Sequence, residues 1–182
     1  MAEEKTIHLV YHGAGLSEKA TNATYILDKS KVKWDFKKVI KDFTADLGEV
    51  NLNRESITKV KFYITTGAKA YDPSRFELVK KADGIVFVVD SQEERIDGNY
   101  GKIVEMRRWL SKIGKNTPYI IQYNKRDLPN FLFIEELEKE INNDKVPYFE
   151  AIAVKGIGVF ETFEEILNKI TNYHFNNKRQ EL

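Results

Sequence analysis

Short apolar runs alternate with amphipathic stretches along most of this chain, and the alternation predicts a fold class. Residues 6–11 form an apolar run that ends at His12-Gly13, as a buried strand does on meeting a glycine turn. A helix-compatible pattern follows over 19–27, with Ala20, Ala23, Tyr25, Ile26 and Leu27 as its apolar contacts. Two strands are predicted near 39–45 and 58–65. The turn-like Asn51-Leu52-Asn53-Arg54 between them suggests an antiparallel hairpin. Gly84-Ile85-Val86-Phe87-Val88-Val89-Asp90 is apolar almost throughout, as a strand buried on both faces of a parallel sheet would be. Residues 100–113 place Ile103, Val104, Met106, Trp109, Leu110 and Ile113 on one helical face. Strands at 118–123 and 146–153 then alternate with helices around 133–141 and 159–173. Such a series predicts an α/β domain, its mostly parallel sheet covered by helices on both faces. Ligands of such folds bind outside the carboxyl ends of the strands.

The candidate chemistry falls at those ends. Gly13-Ala14-Gly15-Leu16-Ser17-Glu18-Lys19-Ala20, after the first strand, matches the phosphate-binding pattern G-x-x-x-x-G-K-[ST] at Gly13 and Lys19 only. Glu18 stands where backbone should wrap a phosphate, and Ala20 replaces the hydroxyl that ligates Mg²⁺. Thr21 is no substitute, because one residue turns its side chain about 100° around a helix axis. Lys19, in a helix's first turn, is disfavoured by the macrodipole and gains from a nearby anion. Asn124-Lys125-Arg126-Asp127 directly follows the strand at 118–123. In guanine-nucleotide proteins an N-K-x-D loop reads the base: the carboxylate accepts two N–H donors, the amide supports base and loop, and the lysine stem covers the ring. Ala153, Val154 and Lys155 follow the last strand and could offer a backbone N–H and a cation to the same base. A switch loop would lie at 65–68, where Ile64 and Ala68 stand in the Asp and Gln places of D-x-x-G-Q around Gly67. Thr44 is the nearest candidate for a Mg²⁺-ligating switch threonine. Each match alone is weak, and a polar loop or ordinary turn would explain it; their order and spacing together argue against coincidence.

Composition narrows the classes. With 182 residues the chain is one domain of ordinary size. Its 29 basic against 28 acidic side chains argue against a nucleic-acid or membrane-surface role. It has no cysteine, and its 3 histidines lack ligand spacing, so no metal site is expected. No signal peptide, lipidation signal or long apolar span is present, so a cytoplasmic protein without a membrane anchor is expected. Residues 1–173 are expected to form the domain and 174–182 a polar, frayed tail.

Over essentially its whole length the chain resembles the bacterial Ras-like GTPases of the MglA (mutual gliding-motility) type. The resemblance rests on Leu9-Val10-Tyr11-His12-Gly13-Ala14-Gly15-Leu16-Ser17, Lys19 with Thr21-Asn22, and Asp83-Gly84-Ile85-Val86-Phe87-Val88-Val89-Asp90-Ser91-Gln92. Asn124-Lys125-Arg126-Asp127 and Lys155-Gly156-Ile157-Gly158-Val159-Phe160-Glu161-Thr162 complete it. It implies a six-stranded Ras-like G domain with five principal helices, to which this group can add a strand. It also implies a polarity or motility switch. The implied partner, met through the switch surface, is an MglB-like roadblock protein or an MglA-type GTPase effector. Asn124, Lys125 and Asp127 match the guanine-reading motif.

The departures concern the phosphates. Glu18, Ala20 and Ala68 each remove a different part of the chemistry, at ~1–4 kcal/mol apiece. The resulting expectation is a pseudo-GTPase: no catalytic residue, weak or absent GDP or GTP, Mg²⁺ weakened or lost, and a protein-interaction role. The alternative is a working switch that hydrolyses GTP slowly with a group supplied by a roadblock-type partner. A third reading, an unrelated doubly wound domain binding another phosphate ligand, rests on fold analogy alone.

Overall fold

The computed structural model describes residues 5–29, 36–39, 42–53, 56–65 and 73–180, with side chains for 6–29, 59–65 and 73–173. Its elements run β1 (Lys5–Gly13), α1 (Lys19–Lys29), β2 (Phe36–Val39), β3 (Asp42–Asn53), β4 (Ser56–Ile64), α2 (Pro73–Lys81) and β5 (Gly84–Asp90). There follow α3 (Ile96–Ile113), β6 (Tyr119–Asn124), α4 (Ile134–Ile141), β7 (Tyr148–Glu150) and α5 (Val159–Gln180). Short 3-10 turns cover Glu93–Arg95 and Ala153–Lys155.

One sheet holds every strand, in the order β2-β3-β4-β1-β5-β6-β7. β4, β1, β5, β6 and β7 are mutually parallel, while β2 and β3 add to the β4 edge in antiparallel sense. The sheet therefore has seven strands, the six expected and the one that the resemblance allows in addition. The stretch predicted as one strand near 39–45 divides into β2 and the start of β3, which pair Phe36 with Ala45 and Val39 with Asp42. The hairpin of β3 with β4 is as predicted, but Asn51 to Asn53 belong to the strand rather than the turn.

The apolar run of β5 is buried at every position because its two faces meet different cores. Val86 and Val88 point with Leu9, Tyr11 and Phe62 towards α1 and α5, against Ile26, Leu27, Phe163 and Ile166. Ile85, Phe87 and Val89 point the other way, against Val79 of α2, Met106 and Trp109 of α3 and Leu137 of α4. Period-two alternation thus makes a continuous apolar run serve two helical layers. Helix α2 is absent from the elements expected above: it carries Arg75, Glu77, Lys80 and Lys81 and buries only Val79 and the Arg75 side chain. Helix α5 runs past Tyr173 to Gln180. Among the described residues no helix is long and apolar enough to cross a membrane.

The connections leave β1 towards β4 and then cross to β5 on its other side, so β1 and β5 flank a topological switch point. Gly13 closes it: a Cβ there would lie 2.2 Å from the Val88 carbonyl oxygen, at φ +148°. Gly13→Ala should therefore cost about 3 kcal/mol. Thermal melting should fall by roughly 6–12 °C, and an unchanged melt would contradict this packing.

Candidate functional site

The loop from Gly13 to Glu18 joins β1 to α1. Leu16 and Glu18 both adopt left-handed backbone, φ 65° and 67°, which side chains other than glycine rarely take. Leu16 is exposed at the tip, Gly15 is half-buried, and Ser17 is buried with its hydroxyl donating to the Ala14 carbonyl at 3.0 Å. Lys19 folds back beneath the loop, where its ammonium donates to the Gly13 and Ala14 carbonyls and to Ser17 Oγ at 3.2, 2.5 and 3.3 Å. Burial, reinforced by the nearby Lys102 charge, lowers its pKa to about 8. Ala20 is exposed on the first turn of α1 and Thr21 half-buried behind it.

Beneath this loop lies buried His12, its Nδ1 2.9 Å from Thr65 Oγ1 and its ring against Phe87 and Trp109. Burial pulls its pKa down to about 3, so it is neutral at any physiological pH.

The Asn124 side chain joins this loop to the end of β6. It is fully buried, and its amide nitrogen donates to the Ser17 carbonyl at 3.0 Å and to Glu18 Oε2 at 3.2 Å. Its oxygen accepts the Ala153 N–H at 2.9 Å. Asn124 therefore contacts both Glu18 and Ala153, which lie 106 and 29 residues from it in the chain. The Ala153 N–H, a candidate donor to a guanine oxygen, is engaged with Asn124. Lys125 donates at 2.8 Å to Asp90, a wholly buried carboxylate that also accepts the Gln92 N–H and has Arg95 at 3.7 Å. Sequence pattern assigns Asp90 no role in the site; an acid ending a buried strand, 35 residues before a lysine, has no local signature.

Asp127 and Lys155 face each other at the mouth, 2.9 Å apart, and that hydrogen bond holds the Asp127 carboxyl below its ordinary range. Val154 and Lys155 are both exposed. Gly156 completes the turn at φ +73°, where a Cβ would collide with the Tyr25 ring. Arg126 points elsewhere, to Glu150 and the Leu132 carbonyl. The backbone of Thr44 lies within β3, in register with Lys37 and Tyr63, and its side chain, like all of Gly67 and Ala68, lies outside the described residues.

The two ends of this crevice differ as hosts. Asp127, Lys155 and Val154 present a carboxylate, a cation and an apolar surface, which suit a guanine. At the phosphate end Lys19 is committed to three protein oxygens and a carboxylate stands at the rim. Ala20 brings no oxygen to a Mg²⁺ ion. Lys19, Glu18 and Ala20 do not suit a magnesium-bound phosphate chain, and at the other end Asp127 and Lys155 are paired with each other. Between the loop and α3 opens a groove of about 520 Å³, lined among others by Gly15, Leu16, Arg95 and Lys102.

A parallel sheet whose central strand enters a glycine loop and helix, with an Asn-Lys-x-Asp loop ending β6, defines a Ras-like G domain. The chain belongs to the ADP-ribosylation factor family, whose sequence model matches residues 25–170. The matched span starts at Tyr25, beyond the altered loop. The chain is also similar to the mutual gliding-motility protein MglA of Myxococcus xanthus (strain DK1622). The two are 36% identical over 179 residues, covering 91% of this chain and 90% of that protein.

Asn124→Ala would leave the Ala153 N–H and Ser17 carbonyl without their partner and should cost about 2–4 kcal/mol, read by urea denaturation. Lys19 generates a pH dependence. The unfolded chain holds that proton up to about 10.5 and the folded one only to about 8. Folding stability should therefore rise with pH across that window. Lys19→Met should remove the rise between pH 8 and 9.5; an identical slope in both proteins would contradict the burial of a charged Lys19.

Proposed function

We propose that this protein is an MglA-type G domain that acts as a protein-interaction module, a pseudo-GTPase with weak or absent guanine-nucleotide binding. One observation carries the reading: the carboxylate of Glu18 is bonded to Asn124 at the place where the loop should present bare backbone to a phosphate. A phosphate chain would meet that negative charge, and the Cβ beneath it, without the Mg²⁺ that normally offsets its own charge. Loss of two such contacts at about 2 kcal/mol each would weaken binding roughly a thousandfold. The base-reading residues would still allow GDP or GTP to be held loosely.

The relative's name supports a motility pathway, and the reading extends it to polarity. The reading includes a cytoplasmic location, a domain over 1–173, and a partner met through the switch surface, such as an MglB-like roadblock protein or an MglA-type effector. Catalytic residues and a resident metal form no part of it. Under this reading Gly67, Ala68 and Thr44 mark that surface and not a reaction.

A second reading, a slow switch completed by its partner, is favoured by the loop's preserved left-handed backbone and by the groove beside Leu16. Arg95 and Lys102 line that groove, and an inserted group could reach the loop through it. Titration with mant-GDP, heat release of bound nucleotide and GTP turnover with and without a roadblock partner separate the two. The pseudo-GTPase should bind mant-GDP no tighter than micromolar and show no turnover with either addition. Glu18→Gly combined with Ala20→Thr should raise its affinity at least tenfold. Stoichiometric, tightly held nucleotide with partner-stimulated turnover would establish the second reading instead.

A further inference from the structure

Helices α3 and α4 enclose a second groove, of about 420 Å³, on another face of α3. Ile96, Tyr100 and Leu132 supply its apolar lining, and Glu93, Asp97, Glu136 and Glu140 face Lys139 among its charged groups. Four carboxylates against one ammonium is a local excess in a chain whose charges otherwise balance at 29 to 28.

The loop forming one wall exposes unusual apolar surface. Phe131 and Phe133, on either side of Leu132, are 39% and 66% exposed, and Tyr100 is 48% exposed. Phenylalanines left in water at a groove edge are a recognised mark of an interaction site.

The wall is also rigid. Glu93 N–H donates to the Asn130 carbonyl at 2.9 Å, and Leu132 N–H to the Ser91 carbonyl at 2.8 Å. The Phe131 and Phe133 rings meet edge to face, and the Arg126 guanidinium lies 4.4 Å from the Phe131 ring centre. Arg126 is itself fixed by Glu150 and by the Leu132 carbonyl. Little side-chain freedom remains to be lost when a partner docks, which favours affinity.

We infer that this groove docks a basic amphipathic helix from a partner protein. Its apolar stripe would lie on Ile96, Tyr100, Leu132 and Phe133, with its lysines or arginines facing Glu93, Asp97, Glu136 and Glu140. A helix suits the site because the groove runs between two helices and offers Ile96 and Tyr100 one turn apart. Carboxylates around an apolar floor select a cationic occupant and repel an acidic one. No groove residue belongs to the loop from Gly13 into α1, although Asp97 borders both grooves.

The probes are a 14-residue peptide with lysine and leucine at helical spacing and the same peptide with glutamate for lysine. Each is titrated into ¹⁵N-labelled protein. The lysine peptide should shift the amides of Ile96, Tyr100, Leu132 and Phe133 with saturation, and the glutamate peptide should not. Glu93→Lys with Glu140→Lys should weaken binding at least tenfold, and Phe133→Ala at least threefold. All three positions are exposed, so melting should move little. The inference fails if the shifts lie elsewhere, if the glutamate peptide binds as well, or if charge reversal leaves affinity unchanged. Residues 29–41 of this chain also carry Lys29, Lys31, Lys33, Lys37, Lys38 and Lys41 beside Trp34 and Phe36. Sedimentation of the protein alone therefore completes the test: self-association abolished by the same charge reversal would overturn the partner in favour of a second copy.

Discussion

The carboxyl edge of the sheet depends on one buried amide. Asn124 has no access to water, so each of its polar atoms must find a partner in the protein or impose a desolvation cost of a few kcal/mol. Its partners are the Ser17 carbonyl, the Glu18 carboxylate and the Ala153 N–H. They belong to two segments far apart in the chain, the loop entering α1 and the turn after β7. Two residues earlier on the same face of β6, Gln122 donates to Asn22 of α1 and Thr162 of α5. Asn22 in turn donates to the Glu18 carbonyl at 3.1 Å. The period of a strand therefore stacks two amides into a polar column, which holds the start of α1 to β6 and α5 through directional bonds.

That column explains how a glutamate can sit in a glycine's conformation. A left-handed non-glycine residue costs about 1–2 kcal/mol. At Glu18 the bonds of its own carbonyl and carboxylate to Asn22 and Asn124 oppose that cost. The loop thus retains a backbone shape suited to anions, while its side chains and committed lysine set the local electrostatics against them.

Strands buried on both faces were legible in the sequence because an apolar run of six or seven residues, closed by turn residues, is too short for a helix and too apolar for an exposed strand. The candidate loops were legible because each directly follows such a run. The β2–β3 extension was only partly legible. A lysine-rich edge strand carries little apolar periodicity, and Phe36–Val39 pairs on the strength of its backbone. Helix α2 hides for a related reason, as it buries one valine and an entire arginine side chain rather than a full apolar stripe. The far end of α5 lacks apolar period after Tyr173, so its helix continues without a signal of the kind that marked its start. Within the site, residue types pointed to Asn124, Asp127 and Lys155, but not to Lys125 pairing with Asp90 or the Ala153 N–H being engaged. Contacts between residues tens of positions apart are made by topology and leave no local mark.

The two glycine positions of the phosphate loop show which demands the fold makes and which only a ligand makes. At Gly13 the obstacle to any side chain is the protein itself: the Val88 carbonyl of the neighbouring strand would lie 2.2 Å from a Cβ. Substitution there would separate β1 from β5 and disturb both cores, whatever the loop binds. At position 18 the constraint is different. The backbone is left-handed, yet the surroundings accept a full glutamate side chain and supply it with a hydrogen-bond donor. What that position needs glycine for is close approach of a phosphate, and this chain does without it. Lys19 follows the same division, since its ammonium ties Gly13, Ala14 and Ser17 together whether or not an anion is near. The motif residues present, Gly13 and Lys19, are those that also support the fold, whereas positions 18 and 20, whose motif residues would serve a phosphate or its metal, carry Glu and Ala.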